Sequence, residues 1–300
     1  MKTDSENLGK TMTLSDGRKL GYIERGTSKD ETVFYLHGWP SSRLELLEVT
    51  SFITISGYRL ISIDRPGIGL SDFKKKRTLL DIADDVVELA DFLDIKKFSV
   101  LGLSGGAPYA HACAFKIPDR LNSVGIVSGL GPLYITKKHM SGPEGFMLTL
   151  GKTAPWLLRI FINAALAKPL KSKNQDKAKE KFLAVNLKNA PEPERKRLEH
   201  PGVFDAIWKQ MQEAFIQGTK GSTKDVSLYT KHWGFELKDI PDKVKYFLWH
   251  GELDNLAPVG IGKAVAEEIH HCVSKYYPEE GHSSILFNNF EEIINTLLTA

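Results

Sequence analysis

The stretch Val100-Leu101-Gly102-Leu103-Ser104-Gly105-Gly106-Ala107-Pro108 decides how the rest of the chain is read. It has the form G-x-S-x-G, with an apolar Val/Leu run before it and a helix predicted over Ala107 to Lys116 after it, so it reads as strand, sharp turn and helix. The serine falls at the turn. Glycines at 102 and 105 suit it, because such a turn needs unusual backbone angles and leaves little room for side chains beside Ser104. Pro108 also fits, since within the first helical turn proline removes no internal hydrogen bond. Taken alone, the pentapeptide is just as much the mark of a glycine-rich connection. Its chemical meaning depends on partners elsewhere.

Moving outward, Thr11 to Arg25 alternates apolar and polar residues around Ser15-Asp16-Gly17, which predicts a hairpin at an antiparallel edge. Val33 to Leu36 is a short apolar run ending in His37-Gly38-Trp39-Pro40, as a buried parallel strand ends in a loop. A helix is predicted from about Leu44 to Ile55, a strand over Tyr58 to Ile63, then the irregular Asp64-Arg65-Pro66-Gly67-Ile68-Gly69-Leu70-Ser71-Asp72. Leu79 to Leu93 carries apolar residues at helical spacing and leads into the Phe98 to Leu101 strand. Leu121 to Val127 reads as a further strand. This alternation of strand and helix predicts an α/β chain with a mostly parallel, doubly wound sheet and helices on both faces.

From about Gly131 to Phe235 the alternation stops. Helices are predicted over Phe146 to Ala167, Lys168 to Leu187 and Glu194 to Gln217, with aromatic residues recurring through them. The pattern resumes with strands over Val244 to Trp249 and Cys272 to Tyr277 and helices over Pro258 to Ile269 and Ile285 to Leu298. Residues 1–130 and 236–300 are therefore expected to form the core, and residues 131–235 an inserted helical cap.

Composition narrows the function classes. With 42% hydrophobic and 26% charged residues and a net charge of +3, nothing global calls for nucleic acid as a partner, and no apolar run is long enough to cross a bilayer. The N-terminus lacks an apolar signal segment, so a soluble, cytoplasmic protein is expected. The two cysteines, Cys113 and Cys272, lie far apart on core-like elements and read as small hydrophobes rather than a disulfide. Lysines 168, 171, 173, 177, 179 and 181 read as a solvated helix face. No sequence feature sets an oligomeric state.

A serine hydroxyl is a poor nucleophile near neutral pH, so it needs a histidine to take its proton and a carboxylate to orient that histidine. In open parallel sheets the site forms at the carboxyl ends of strands. Three residues stand there in the order serine, acid, histidine: Ser104, Asp254 in His250-Gly251-Glu252-Leu253-Asp254, and His282 in Pro278-Glu279-Glu280-Gly281-His282. Asp254 alone would also suit a turn or helix cap before Pro258. Asp64 and Asp72 read as turn residues, and His37 and His250 as structural hydrogen-bonders. Oxyanion donors are expected from the backbone N–H groups of Gly105 and of Trp39, since Pro40 has none. No metal-ligand spacing and no cofactor motif is present.

His37-Gly38-Trp39-Pro40, the Asp64 to Asp72 stretch, Gly102-Leu103-Ser104-Gly105-Gly106, His250-Gly251-Glu252-Leu253-Asp254 and Gly281-His282 together resemble the α/β-hydrolase fold superfamily, over roughly Thr11 to Leu130 and Ile240 to Ala300. The resemblance implies an eight-stranded mostly parallel sheet, a Ser-Asp-His triad of Ser104, Asp254 and His282, oxyanion donors at Trp39 and Gly105, and a helical cap. Ser104 stands where haloalkane dehalogenases and epoxide hydrolases carry an aspartate, and the tryptophan and downstream serine of proline iminopeptidases are absent. The expectation is a cofactor-free serine hydrolase of carboxylesterase type, acting on a small, largely apolar acyl substrate. A carbon–carbon bond hydrolase or lactonase on the same triad, or a small-molecule receptor with little turnover, are the alternatives.

Overall fold

A computed structural model describes residues 8–27, 31–50 and 55–300. In chain order its elements begin with β1 (Lys10–Thr13), β2 (Lys19–Gly26), β3 (Thr32–Leu36), α1 (Glu45–Val49), β4 (Arg59–Ile63), α2 (Asp81–Phe92), β5 (Phe98–Leu103), α3 (Ala107–Lys116) and β6 (Leu121–Val127). Helices α4 (Leu133–His139), α5 (Gly142–Thr153), α6 (Pro155–Ile162), α7 (Lys168–Leu170), α8 (Gln175–Asn189), α9 (Glu192–Glu199), α10 (Val203–Ala214) and α11 (Lys220–Tyr229) follow. The chain then returns through β7 (Lys245–Gly251), α12 (Val259–Glu268), β8 (Cys272–Tyr277) and α13 (Ser284–Leu298).

The eight strands form one sheet in the order β1-β2-β4-β3-β5-β6-β7-β8. The β1/β2 and β2/β4 pairs are antiparallel and all others parallel. The predicted hairpin is the antiparallel edge. Side chains alternate across the strands: Phe34, Val100, Val124 and Leu248 join one apolar cluster, with α2, α3 and α12, while Tyr35, Leu101, Val127 and Trp249 join another, with α1 and α13. Burial on both faces explains why these strands are near-continuous apolar runs. Strand order reverses between β3 and β5, so the loops leaving these neighbours open into a crevice of the kind that holds ligands in such sheets.

Several helix boundaries differ from the sequence expectation. The helix expected from Leu44 is described only over Glu45–Val49, and residues 51–54 lie outside the described part. The helix expected over Phe146 to Ala167 breaks at Ala154, whose non-helical backbone precedes Pro155, because proline disfavours a helical residue before it. The next is interrupted before α8, where the Asn174 side chain accepts from the Lys177 N–H and starts a new helix. The third splits at His200-Pro201-Gly202, with Gly202 at φ +84°. Helices α4 and α11 were not expected. Cys113 is fully buried and Cys272 half-buried, and both are free thiols.

Candidate active site

Strand β5 runs to Leu103, and the next residue, Ser104, takes φ +51°, a left-handed conformation that side chains rarely adopt. The strain falls on the serine itself. Neighbouring glycines make it possible: a Cβ on Gly102 would sit 2.8 Å from that of Ala110, and one on Gly106 would collide with the Leu36 carbonyl oxygen of β3. Helix α3 starts at once, with Pro108 in its first turn. The sharp turn expected from sequence is therefore present, and it lifts Ser104 to the end of β5.

Asp254 and His282 come together from the loops after β7 and β8: His282 Nδ1 lies 2.8 Å from Asp254 Oδ2. The other carboxylate oxygen accepts the Leu256 and Ala257 N–H groups at 2.9 and 2.8 Å, so the turn role and the histidine contact are held by the same residue. His250 Nε2 lies 2.6 Å from the Ala257 carbonyl and 3.2 Å from Asp254 Oδ2, two acceptors that require the proton on Nε2. Burial alone would raise the Asp254 pKa, but the His282 imidazole and the His250 N–H hold it well below the usual carboxylate range. For His282 burial opposes the charged form, and the Asp254 carboxylate outweighs it, so the imidazole titrates above its ordinary value. Nδ1 is engaged with Asp254, which leaves Nε2 as the edge available for proton transfer. Neither Nε2 nor the Ser104 hydroxyl makes a side-chain hydrogen bond among the described residues, so the serine–histidine bond is not formed in this structure.

The Trp39 and Gly105 backbones are adjacent: the Cβ position of Gly105 lies 3.2 Å from the Trp39 N. Three buried groups fix the loop that presents Trp39. Glu45 Oε2 accepts the Gly38 N–H at 2.7 Å and the Tyr35 hydroxyl at 2.8 Å. Arg65 donates to the His37 carbonyl and, at 2.9 Å, to that of Gly38. Asp225, fully buried on α11, neutralises Arg65 at 2.9 Å, pairs with Arg77 and accepts the Tyr109 hydroxyl at 2.6 Å. His37 is buried and neutral: burial first, then Arg65, pushes its pKa well down. Asp64 accepts the Leu70 N–H within its own turn and also pairs with buried Arg43, and Asp72 accepts the Lys19 N–H of β2, so beyond a turn role they tie this loop to its neighbours.

Helices between β6 and β7 reach into this site at positions the sequence did not mark. Tyr229 donates to the Gly105 carbonyl at 2.8 Å, and the Trp39 indole N–H reaches the Ser222 carbonyl at 3.0 Å. Glu194 Oε1 accepts the Ser283 and Ser284 N–H groups at 2.6 and 2.7 Å, directly after His282. Its helix is held down by Arg197, which pairs with buried Glu48 on α1. The aromatic residues of this region mostly do not face the site. Phe182, Phe204 and Trp208 pack on one another, Phe215 and Trp233 are buried, and Trp156 and Phe161 point to solvent. Two surface pockets of about 340 and 440 Å³, one beside α10 and one between α4 and α5, contain none of Ser104, Asp254 or His282. No cluster of three metal-binding side chains occurs among the described residues.

A serine at a strained turn on the end of β5 and a histidine–aspartate pair on the ends of β7 and β8 define an architecture shared with known proteins. The model of the α/β hydrolase fold family matches residues 31–288, and the chain belongs to that family. A non-heme chloroperoxidase of Streptomyces lividans is 33% identical over 140 residues, 46% of this chain and 50% of that protein. A bifunctional esterase/perhydrolase of Acinetobacter calcoaceticus is 29% identical over 136 residues, 45% of this chain and 49% of that protein. The chain thus spans about half the length of these relatives. Among solved structures, an esterase from Exiguobacterium antarcticum superposes with a TM-score of 0.68 at 19% identity, covering 97% of this chain and 98% of that one. At that identity the likeness is one of fold.

Proposed function

We propose that the protein is a serine hydrolase of carboxylesterase type, with Ser104 as nucleophile, His282 as general base and acid, Asp254 as its orienting carboxylate, and the Trp39 and Gly105 amides as oxyanion donors. The observation that carries this reading is the Asp254–His282 contact between two strand-end loops, in a chain whose serine stands at positive φ on a third strand end. In the reaction, Ser104 Oγ attacks the substrate carbonyl while His282 Nε2 takes its proton, a contact that tightens when substrate binds. The tetrahedral oxyanion is met by the two N–H groups. Collapse expels the alcohol, which receives the proton from His282. Water then attacks the acyl-serine by the same route and restores the enzyme.

Residues 131–235 act in this proposal as the cap. Trp39 and Leu130, both half-buried and next to Ser104 through Gly105 and the Ser104 carbonyl, supply apolar surface for a small acyl group. The relatives named chloroperoxidase and perhydrolase favour a second reading of the last step, in which hydrogen peroxide replaces water and releases a peracid. A fluorophosphonate probe tests the proposal: it should label Ser104, and Ser104→Ala should lower turnover of short-chain p-nitrophenyl esters by at least ~10³-fold with an unchanged melting curve. Near-normal turnover by a folded Ser104→Ala protein would refute it. Adding peroxide during ester turnover and assaying peracid separates the two acceptors.

A further inference from the structure

Helix α6 continues through a π-helical segment, Asn163–Ala167, into α7, so residues 155–170 form one helical rod. One face is anchored: Leu158, Ile162, Ala167 and Leu170 are buried. The other carries Trp156 (69% exposed), Leu157 (40%), Ile160 (57%) and Phe161 (42%), spaced i, i+1, i+4, i+5 so that they share one outward face. Four large apolar side chains side by side in water are uncommon on a protein that works without a partner.

The charge around this face is equally one-sided. Residues 131–191 contain eleven Lys and Arg against three acids, Glu144, Asp176 and Glu180, a local +8 in a chain whose total is +3. The rest of the molecule is therefore net acidic. Lys152 and Arg159 flank the apolar face in sequence, Lys168 lies in the last turn of the rod and Lys171 and Lys173 just past its end; all five are exposed, and none is paired with a carboxylate among the described residues. The lysines thus form a solvated face, as their sequence pattern suggests, and the structure adds an uncovered aromatic stripe beside them. A helix with Trp, Phe, Leu and Ile on one side and unpaired basic residues around it is the arrangement that lies in the headgroup region of an anionic bilayer, with the indole at the interface. A second copy of the chain fits less well, because pairing like faces would bring two strongly positive surfaces together.

We infer that the outer face of residues 155–173 docks this protein peripherally on an anionic lipid surface, with Trp156, Leu157, Ile160 and Phe161 entering the headgroup layer and Lys152, Arg159, Lys168, Lys171 and Lys173 meeting the lipid phosphates. Docking does not depend on the chemistry at Ser104, so its test needs no activity. The full chain is floated with vesicles of phosphatidylcholine alone, or of phosphatidylcholine with ~30% phosphatidylglycerol, at low and high salt. Binding is expected only to the anionic vesicles and is weakened by salt. Trp156→Ala with Phe161→Ala should reduce the partition coefficient by at least tenfold, and Lys171→Glu with Lys173→Glu by roughly fivefold or more per residue, each with an unchanged melting temperature. Failure of the native chain to bind anionic vesicles overturns the inference, and so does equal binding by folded variants. Sedimentation of the native chain as a dimer that Trp156→Ala/Phe161→Ala dissociates would assign the face to a second copy and overturn it as well.

Discussion

Replacing Glu194 by alanine removes the acceptor for two amides at the head of the helix that follows the imidazole. One oxygen serves both Ser283 and Ser284, at 2.6 and 2.7 Å, and the side chain is only 11% exposed. A charge-assisted hydrogen bond contributes about 1.5–3 kcal/mol and a helix-capping side chain about 0.5–2 kcal/mol. Since the two donors share an oxygen, the joint loss is about 2–3 kcal/mol. Unfolding entropy for a chain of this length converts that into a fall of about 3–5 °C in melting temperature. The functional loss should be larger in proportion, because the freed segment begins one residue after His282. A displacement near 1 Å at a reacting group costs on the order of 10²-fold in rate. Glu194→Ala is therefore expected to lower kcat by roughly 10–100-fold with a modest change in KM.

Glu194→Gln separates geometry from charge. The amide oxygen still accepts both N–H groups, so stability and kcat should stay close to native. The negative charge that helps keep the His282 pKa raised is gone, so the acid limb of the pH–rate profile should move to lower pH. Native kinetics for Glu194→Ala would refute the positioning role. An unmoved acid limb for Glu194→Gln would refute the electrostatic one.

Asp254→Asn should cost about 10⁴-fold in kcat, and burial acting without the carboxylate should carry the His282 pKa below its ordinary value, which the pH profile of residual activity reads. In the native protein His282 titrates above about 6.5, so kcat/KM should fall as pH drops through that raised value. Stability runs the other way. The raised His282 pKa stabilises the fold fully below about pH 6.5 and fades as pH rises through the folded value, while the depressed Asp254 pKa stabilises it above about pH 4. Melting curves should therefore place this pair's greatest contribution on the acid side of the activity optimum. Asp225→Asn leaves Arg65 and Arg77 buried with one charge fewer between them and should cost about 3–5 kcal/mol, or about 5–8 °C of melting temperature. Gly106→Ala, aimed at the Leu36 carbonyl, should abolish folding at 37 °C, whereas Gly57→Ala, with open space around it and only a positive φ to accommodate, should cost about 1–2 kcal/mol by chemical denaturation.

The sheet was legible because its parallel strands are buried on both faces. Val33 to Leu36, Phe98 to Leu101 and Leu121 to Val127 appear where the apolar runs predict them, while the edge strand Cys272–Tyr277 is only half-buried and is marked by its β-branched and aromatic residues instead. The helices between β6 and β7 were less so, and for two different reasons. Pro155, Asn174 and Pro201-Gly202 are ordinary break signals set within longer amphipathic patterns that mask them. Helix α11 carries no such pattern at all: Gly221, Ser222, Thr223 and Ser227 have low helix propensity, and the helix forms because it is buried on nearly every side. Gly221 lies against the Gly67 carbonyl, where any side chain would collide, so close packing on the Asp64–Asp72 loop dictates the small residues that hid the helix.

The same division runs through the site. Ser104, Asp254 and His282 could be found because each ends a strand and stands beside a glycine or a turn, features that are local in sequence. Glu194 could not, since among Glu192, Arg195, Lys196 and Arg197 it looks like one charge of a solvated helix, and only the packing of α9 against α10 and α13 buries it. What the local signals miss is consistently what the β6–β7 helices supply: Tyr229 on the Gly105 carbonyl, Ser222 on the Trp39 indole, Asp225 on Arg65, and Glu194 on the amides after His282. Each of these grips a different loop of the core, so together they hold the Ser104 turn, the Trp39 loop, the Arg65 loop and the His282 loop in fixed relation. Loss of these helices would therefore disarrange the site from four sides at once, in addition to opening it to water.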